Sequence, residues 1–166
     1  MYRGDPSAFA NGAVAEVVER AGWAKVDVVV ADERERGAAA GRIALNLGHS
    51  VGHAVEAAAG YRDLLHGEAV AYGLRAAARI GLDAGVTPPE RAERITGLLD
   101  RLGLATDPLP CSMEAVLGHL ATDKKHTAGR LRWVLPTADG SAVRDDIDPA
   151  VVERAITPLL ATGVRP

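Results

Sequence analysis

Apolar residues recur at helical spacing along much of the chain. Between positions 87 and 103 they fall at i, i+3, i+4 and i+7, which places them on one face of an α-helix: Ile95, Leu98, Leu99 and Leu102. Thr87 and Glu90 are suited to a capping box, Pro88 to the first helical position, and Gly103 to the end of the helix. This segment is therefore predicted to be an amphipathic helix.

Further segments carry comparable patterns. Ser112 is predicted to open a second helix and Asp148 a third, which Pro158 should end or kink. Alanine-rich stretches at about 53–59 and 66–84 also predict helices. Their small side chains would let neighbouring helices pack closely.

One segment has the pattern of a β-hairpin. Residues 131–135 and 141–144 lie on either side of Asp139-Gly140, a turn sequence. The valine-rich run 26–30 leaves two interpretations open, because its composition favours a strand whereas the preceding apolar spacing favours one helix through both. The prediction is a mainly α, multihelical single domain over residues 1–166 with a small β-hairpin.

No segment has the pattern of a dinucleotide-binding fold. The sequence contains no Gly-x-Gly-x-x-Gly motif after a predicted strand, no series of alternating strands and helices, and no phosphate-binding P-loop. We therefore expect no Rossmann-like NAD-binding domain in this sequence.

Composition narrows the class of protein. The chain has 166 residues, 48% hydrophobic and 25% charged, and a formal net charge of −3, which suits one domain with its own core. The small net charge and the 4% aromatic content argue against nucleic-acid binding, and the lack of a long apolar run argues against a membrane partner. The single cysteine fits a reducing compartment, so we expect a cytoplasmic protein.

The densest group of chemically active residues lies between positions 42 and 68. His49 and His53 are four residues apart and Glu56 follows three residues later, so a helix would present all three on one face. His66 follows after a predicted turn. Imidazoles converging from adjacent helices suit zinc or a similar divalent ion, but histidines at this spacing also occur as ordinary surface residues. Spacing alone leaves both interpretations open.

Basic residues form a second candidate group. Lys25, Arg42, Lys124 and Lys125 are suited to holding a phosphate or a carboxylate, since arginine offers a planar pair of donors and lysine a compact charge. The alternative is that Lys124 and Lys125, beside Asp123, form an ordinary solvated patch.

Taken together, these segments resemble the C-terminal domain of 3-dehydroquinate synthase, a sugar phosphate cyclase. The resemblance runs in order from about residue 14 to residue 156 and rests most on a block of histidines and glycines. The matching pieces are Lys25, residues 31–37 (ADERERG), residues 42–56 (RIALNLGHSVGHAVE), residues 65–71 (LHGEAVA), Asp123-Lys124-Lys125 and residues 131–136 (LRWVLP).

This resemblance implies one half of a two-domain enzyme whose N-terminal domain binds NAD. The family converts an anionic sugar phosphate, 3-deoxy-D-arabino-heptulosonate 7-phosphate, into 3-dehydroquinate and phosphate in the shikimate pathway. The implied steps are transient oxidation by NAD, β-elimination of phosphate, reduction and ring closure. A divalent metal, zinc or cobalt, is implied as a Lewis acid.

The resemblance also implies roles for particular residues. His49 and His66 match two metal ligands, and His53 matches a histidine at the reacting end of the substrate. The residues that match substrate or phosphate contacts are Lys25, Arg42, Asn46 and, from the lysine pair, Lys125.

The sequence departs from the family pattern in two places. The third metal ligand of the family is a glutamate in an Ala-Glu-Val-x-Lys motif; residues 15–19 (AEVVE) are similar but end in glutamate. We therefore interpret Glu16 as coincidental and the third ligand as missing. Residues 38–41 also make the link before Arg42 about three residues longer than is usual.

The NAD-binding half is expected to be absent, so the isolated chain is predicted to be inactive. A separate NAD-binding chain is one expected partner. A homodimer is another, because loss of that half would expose an apolar face. Two other hypotheses are half of a different sugar phosphate cyclase and a non-catalytic interaction domain.

Overall fold

A computed structural model of the chain describes residues 13–32, 41–60, 64–126 and 131–162. Within these ranges the chain forms six α-helices and one antiparallel hairpin. The elements are α1 (Ala13–Ala31), α2 (His49–Ala58), α3 (His66–Asp83), α4 (Pro89–Arg101), α5 (Met113–His126), β1 (Trp133–Pro136), β2 (Ser141–Arg144) and α6 (Pro149–Ile156), with 3-10 helices at Arg42–Asn46 and Thr157–Leu159. The predicted fold class, mainly α with a small hairpin, is confirmed.

The valine-rich run at 26–30 is helical. It forms the second half of α1, which continues without a break from Ala13 to Ala31. Nucleating a helix is costly but extending one is not, so a helix already formed upstream carries β-branched residues that would favour a strand elsewhere. Of the two interpretations that the sequence left open, the single helix is correct.

Local side chains fix several helix ends as predicted. Ser112 Oγ accepts a hydrogen bond from the Ala115 amide at 3.2 Å, and Asp148 Oδ1 accepts one from the Ala150 amide at 2.8 Å. Pro158 lies in the 3-10 helix that follows α6. The hydrogen bonds of Ser112 and Asp148 each supply a partner for an amide that the helix itself leaves unpaired.

The predicted cap of α4 is wrong. The helix begins at Pro89 with Pro88 at the cap position, and no side chain forms a capping hydrogen bond there, so the capping box with Glu90 is not formed. Thr87 is instead buried, and its hydroxyl donates to the Pro136 carbonyl at 2.6 Å. Pro136 lies in β1, 49 residues along the chain, so a tertiary contact takes the place of the local capping interaction.

The core is organised around α3. This helix packs against α2, α4, α6 and β1, and it contributes fully buried alanines with Ile80. Val55 from α2, Val116 from α5, Leu135 from β1 and Ile156 from α6 fill the surrounding space with no more than 1% of their surface exposed. Burial of these side chains is the main stabilising term. No helix in the part of the chain that the structure describes combines the length and apolar character needed to cross a bilayer.

The backbones of α2 and α3 meet at glycines. A Cβ at Gly73 of α3 would collide with the Gly48 carbonyl oxygen and lie 2.8 Å from the Gly52 nitrogen. Gly48 has φ of +79°, a left-handed conformation that glycine adopts without steric cost, and it is the cap of α2. The small residues seen in the sequence therefore set how closely the two helices approach.

We expect Gly73→Ala to destabilise the chain by roughly 3 kcal/mol, because the added methyl meets backbone atoms that cannot move independently. Gly118→Ala is the matched control, since a methyl at that position of α5 meets nothing within 4 Å, and it should stabilise by up to about 1 kcal/mol. Urea unfolding measures both. Equal effects of the two substitutions would contradict the close approach of α2 and α3.

Candidate metal centre and anion cleft

Three histidines converge where α2 and α3 begin. His49 is the first residue of α2, His53 follows one turn later, and His66 is the first residue of α3. The ring centroids form a nearly equilateral triangle, with separations of 5.4 Å between His49 and His53 and 5.5 Å for the other two pairs. One candidate ligand atom from each ring lies within 4.8 Å of the other two. The arrangement suits a single divalent ion.

Two of the imidazoles are oriented by acceptors. The Nδ1 atom of His49 lies 3.3 Å from the Leu47 carbonyl oxygen, and the Nδ1 atom of His66 lies 3.1 Å from Glu56 Oε2. When a histidine donates from Nδ1, its Nε2 lone pair is available to a metal, and such partners fix the ring for that purpose. Glu56 is itself mostly covered, with 18% of its side chain exposed.

The electrostatics of the cluster favour neutral imidazole at His49. Burial lowers the pKa of His49, and the neighbouring His53 and His66 lower it further, while the hydrogen bond to Leu47 acts in the opposite direction. A neutral imidazole is the form that binds a metal. At neutral pH the half-buried His49 is therefore ready to act as a ligand.

A cleft adjoins the histidine cluster. It has a volume of about 340 Å³ and is lined by Lys25 and Val29 of α1, Arg42, Leu45 and Asn46 of the 3-10 helix, and His49 of α2. The backbone amide of Arg42 donates to Asp32 Oδ2 at 3.2 Å, which holds the start of the 3-10 helix against the end of α1. The fold thus brings Lys25, Arg42, Asn46 and His49 into one cleft, although they come from three separate elements.

Other predicted residues lie elsewhere or outside the described part. Lys125 is in the last turn of α5, and its side chain falls outside the described residues, as do residues 33–40 with most of the longer link. Glu16 lies on the exposed part of α1, where it pairs with Arg20 at 3.3 Å, and it does not belong to the histidine cluster.

Two carboxylates near the site act differently from each other. Glu56, which the sequence placed on the histidine face but to which it gave no role, contacts His66. Its position three residues after His53 was the available signal. Glu68 is buried and accepts a hydrogen bond from the Leu65 amide at 3.0 Å. Glu68 therefore fixes the start of α3, and with it the position of His66.

Known proteins are similar to this chain over most of its length. A family model described as 3-dehydroquinate synthase C-terminal matches residues 4–126. A 3-dehydroquinate synthase of Nostoc punctiforme is 42% identical over 141 residues, which cover 84% of this chain and 38% of that protein. The chain thus spans well under half the length of this relative.

Solved structures share the fold. A 2-epi-5-epi-valiolone synthase from Streptomyces hygroscopicus, with NAD⁺ and Zn²⁺ bound, matches with a TM-score of 0.73 and 24% identity over 91% of this chain and 41% of that one. A 2-deoxy-scyllo-inosose synthase, complexed with carbaglucose-6-phosphate, NAD⁺ and Co²⁺, matches with a TM-score of 0.60 and 22% identity over 70% of this chain and 34% of that one. At these identities the likeness shows the fold alone.

We expect the metal-free chain to lose stability on acidification because the pKa of His49 is lowered in the folded state. The unfolded chain then binds the proton more readily, so stability falls as the pH drops below the ordinary histidine value of 6.5 and levels off below the folded pKa.

Urea unfolding with EDTA, at about pH 7.5 and about pH 5.5, measures this effect. The loss should be smaller in His49→Gln than in the wild-type chain. His119→Gln, at an exposed position of α5, should leave the loss unchanged. A loss of the same size in all three proteins would contradict the role of His49.

Proposed function

The chain belongs to the 3-dehydroquinate synthase C-terminal family, and from this premise we propose that it is the metal- and substrate-binding part of a 3-dehydroquinate synthase. The family match and the 42% identical relative confirm the resemblance seen in the sequence. Because the chain spans 38% of that relative, the reaction of the whole enzyme is part of the proposal. That reaction converts 3-deoxy-D-arabino-heptulosonate 7-phosphate into 3-dehydroquinate and phosphate.

One observation carries the proposal: His49 belongs both to the histidine cluster and to the wall of the cationic cleft. A substrate held in the cleft by its anionic groups would therefore have its hydroxyl and carbonyl oxygens beside the histidines. A site with this layout combines positioning of an anionic sugar with polarisation of its oxygens, and both lower the barrier to reaction.

The cleft residues suit an anionic sugar acid. Lys25 of α1 and Arg42 of the 3-10 helix supply positive charge, and Arg42 adds a planar pair of donors for a phosphate or a carboxylate. The Asn46 amide can both donate to and accept from hydroxyl groups. On the basis of the resemblance we also assign Lys125, which belongs to the matching Asp123-Lys124-Lys125 segment, to contact with this substrate.

The histidines fit a divalent metal. Imidazole nitrogens are good donors for zinc and cobalt, and His49 and His66 have the Nδ1 partners that orient a ligand. When bound, the metal would supply Lewis-acid polarisation of substrate oxygens. His53 is exposed beside both rings, and on family resemblance we place it at the reacting end of the substrate.

The proposal includes partners. NAD binds, on family resemblance, to a part of the enzyme that corresponds to the remaining length of the relative, supplied by this protein or by a separate chain. A homodimer is the second proposed partner. Apolar side chains of α1 support either interface, since Val18, Trp23 and Val30 expose 64%, 61% and 75% of their surface. The shikimate pathway and a cytoplasmic location are part of the same proposal.

Complementation tests the proposed function. The 166-residue chain would be co-purified with the part of the Nostoc relative that it does not match, and phosphate release from the heptulosonate phosphate would be measured with NAD and Zn²⁺ or Co²⁺. We expect release by the complex and none by the chain alone. A folded complex that binds NAD but releases no phosphate would contradict the proposal.

Variants of the cleft sharpen this test. Lys25→Ala and Arg42→Ala should each lower kcat/KM by about 100-fold, since each removes a charged contact worth roughly 3 kcal/mol. Arg20→Ala is the matched control on α1, because its side chain is exposed and pairs only weakly with Glu16. Equal loss in all three variants would show that general charge, and not the cleft, attracts the substrate.

A further inference from the structure

We propose that Glu56 is a positioning residue for His66. Its carboxylate holds the imidazole in the tautomer and the orientation that present Nε2 to a metal ion. This rests on the proposed function, from which it takes a metal bound by His49 and His66. The family resemblance assigns no role to Glu56, and its contact in the structure supplies one.

Glu56 and His66 meet where α2 ends and α3 begins. The Oε2 atom of Glu56 lies 3.1 Å from the Nδ1 atom of His66, although the two residues belong to different helices. An ionised carboxylate accepts hydrogen bonds but cannot donate them, so a neutral imidazole bonded to it carries its proton on Nδ1. The unprotonated nitrogen is then Nε2, which is the atom available to a metal.

The position of Glu56 in α2 directs it to the histidine cluster. His49, His53 and Glu56 follow one another at i, i+4 and i+7, which places them on one face of the helix. Helix α2 therefore supplies two imidazoles of the cluster and a hydrogen-bond partner for the third. The side chain of Glu56 is 18% exposed and that of His66 is 54% exposed, so the carboxylate is held in place while the ring stays accessible to an ion.

A different residue fixes the backbone at the start of α3. Glu68 Oε2 accepts a hydrogen bond from the Leu65 amide at 3.0 Å and closes the first turn of the helix. The contact of Glu56 with the exposed ring of His66 adds little to stability, because exposed ionic contacts are weak in water. Its main effect is on the ring itself, which would otherwise rotate and exchange tautomers.

The other proposed ligand is oriented in a different way. The Nδ1 atom of His49 lies 3.3 Å from the Leu47 carbonyl oxygen, a backbone acceptor that a side-chain substitution does not remove. Substitution of Glu56 should therefore alter His66 and leave His49 as an internal reference. A carboxylate partner also raises the basicity of a histidine ligand, so Glu56 would strengthen the bond from His66 to the ion.

The tautomer of His66 tests the proposal in the full metal-free chain. Two-bond ¹H–¹⁵N correlation spectra, recorded at alkaline pH where imidazoles are neutral, report which ring nitrogen carries the proton; His66→Gln assigns the signal. We expect the Nδ1–H form at His66 in the wild-type chain. Glu56→Gln should shift it toward the Nε2–H form, because the amide can turn its NH₂ group toward Nδ1. His49 should not change.

Metal affinity tests the consequence of this orientation. Co²⁺ titration with Zn²⁺ competition should show binding weakened by roughly 10- to 100-fold in Glu56→Gln and Glu56→Ala, the range for loss of a partner that orients a ligand. The visible spectrum of bound cobalt should stay the same, since the ligands do not change, and urea unfolding of the metal-free variants should remain near wild type. Glu93→Gln is the matched control, the same substitution at an exposed position of α4 outside the cluster.

Three results would overturn the proposal while leaving the metal site intact. These are wild-type affinity in both Glu56 variants, an Nε2–H tautomer of His66 in the wild-type chain, and a changed cobalt spectrum in Glu56→Gln, which would show that Glu56 binds the ion directly. If the wild-type chain binds neither Co²⁺ nor Zn²⁺, the metal site of the proposed function fails, and the role of Glu56 fails with it.

Discussion

The backbones of α2 and α3 touch where Gly73 lies against Gly48 and Gly52. A side chain at Gly73 would separate the two helices, and the positive φ of Gly48 sets the direction in which α2 leaves its cap. Since α2 and α3 begin with His49 and His66, the close approach of the two helices brings His66 near His49. The packing of α3 against most of the other elements then ties the site to the core, although His53 and His66 are themselves exposed.

The cleft depends on the same arrangement. His49 is shared between the histidine cluster and the cleft, while α1 and the 3-10 helix bring Lys25, Arg42 and Asn46 to its other side. The bond from the Arg42 amide to Asp32 links these two elements. The histidine cluster and the cationic cleft are thus adjacent because α1 packs where the 3-10 helix leads into α2. In the proposed function, the cleft holds an anionic sugar phosphate beside the histidine cluster.

Local signals predicted the fold well, and the errors come from long-range contacts. Ser112 and Asp148 cap their helices through partners two or three residues away, which a sequence displays directly. Thr87 has the same residue type as a helix cap but bonds to Pro136, a partner that only the folded chain brings near. The segment 26–30 is ambiguous in the sequence because its β-branched residues favour a strand whereas extension of the upstream helix favours a helix; the upstream helix prevails.

In the site, the spacing of His49 and His53 is visible in the sequence. The approach of His66 and Lys25 required the tertiary structure or the family resemblance, and the contact of Glu56 with His66 required the structure.

X-ray absorption at the zinc edge, on the chain loaded with one equivalent of Zn²⁺, addresses the histidine centre most directly. Imidazole ligands give zinc–nitrogen distances of about 2.0–2.1 Å and a multiple-scattering pattern from the outer ring atoms. We predict a first shell that contains at least the imidazoles of His49 and His66, together with oxygen ligands. A shell of oxygens without imidazole scattering would mean that the three histidines do not hold the ion.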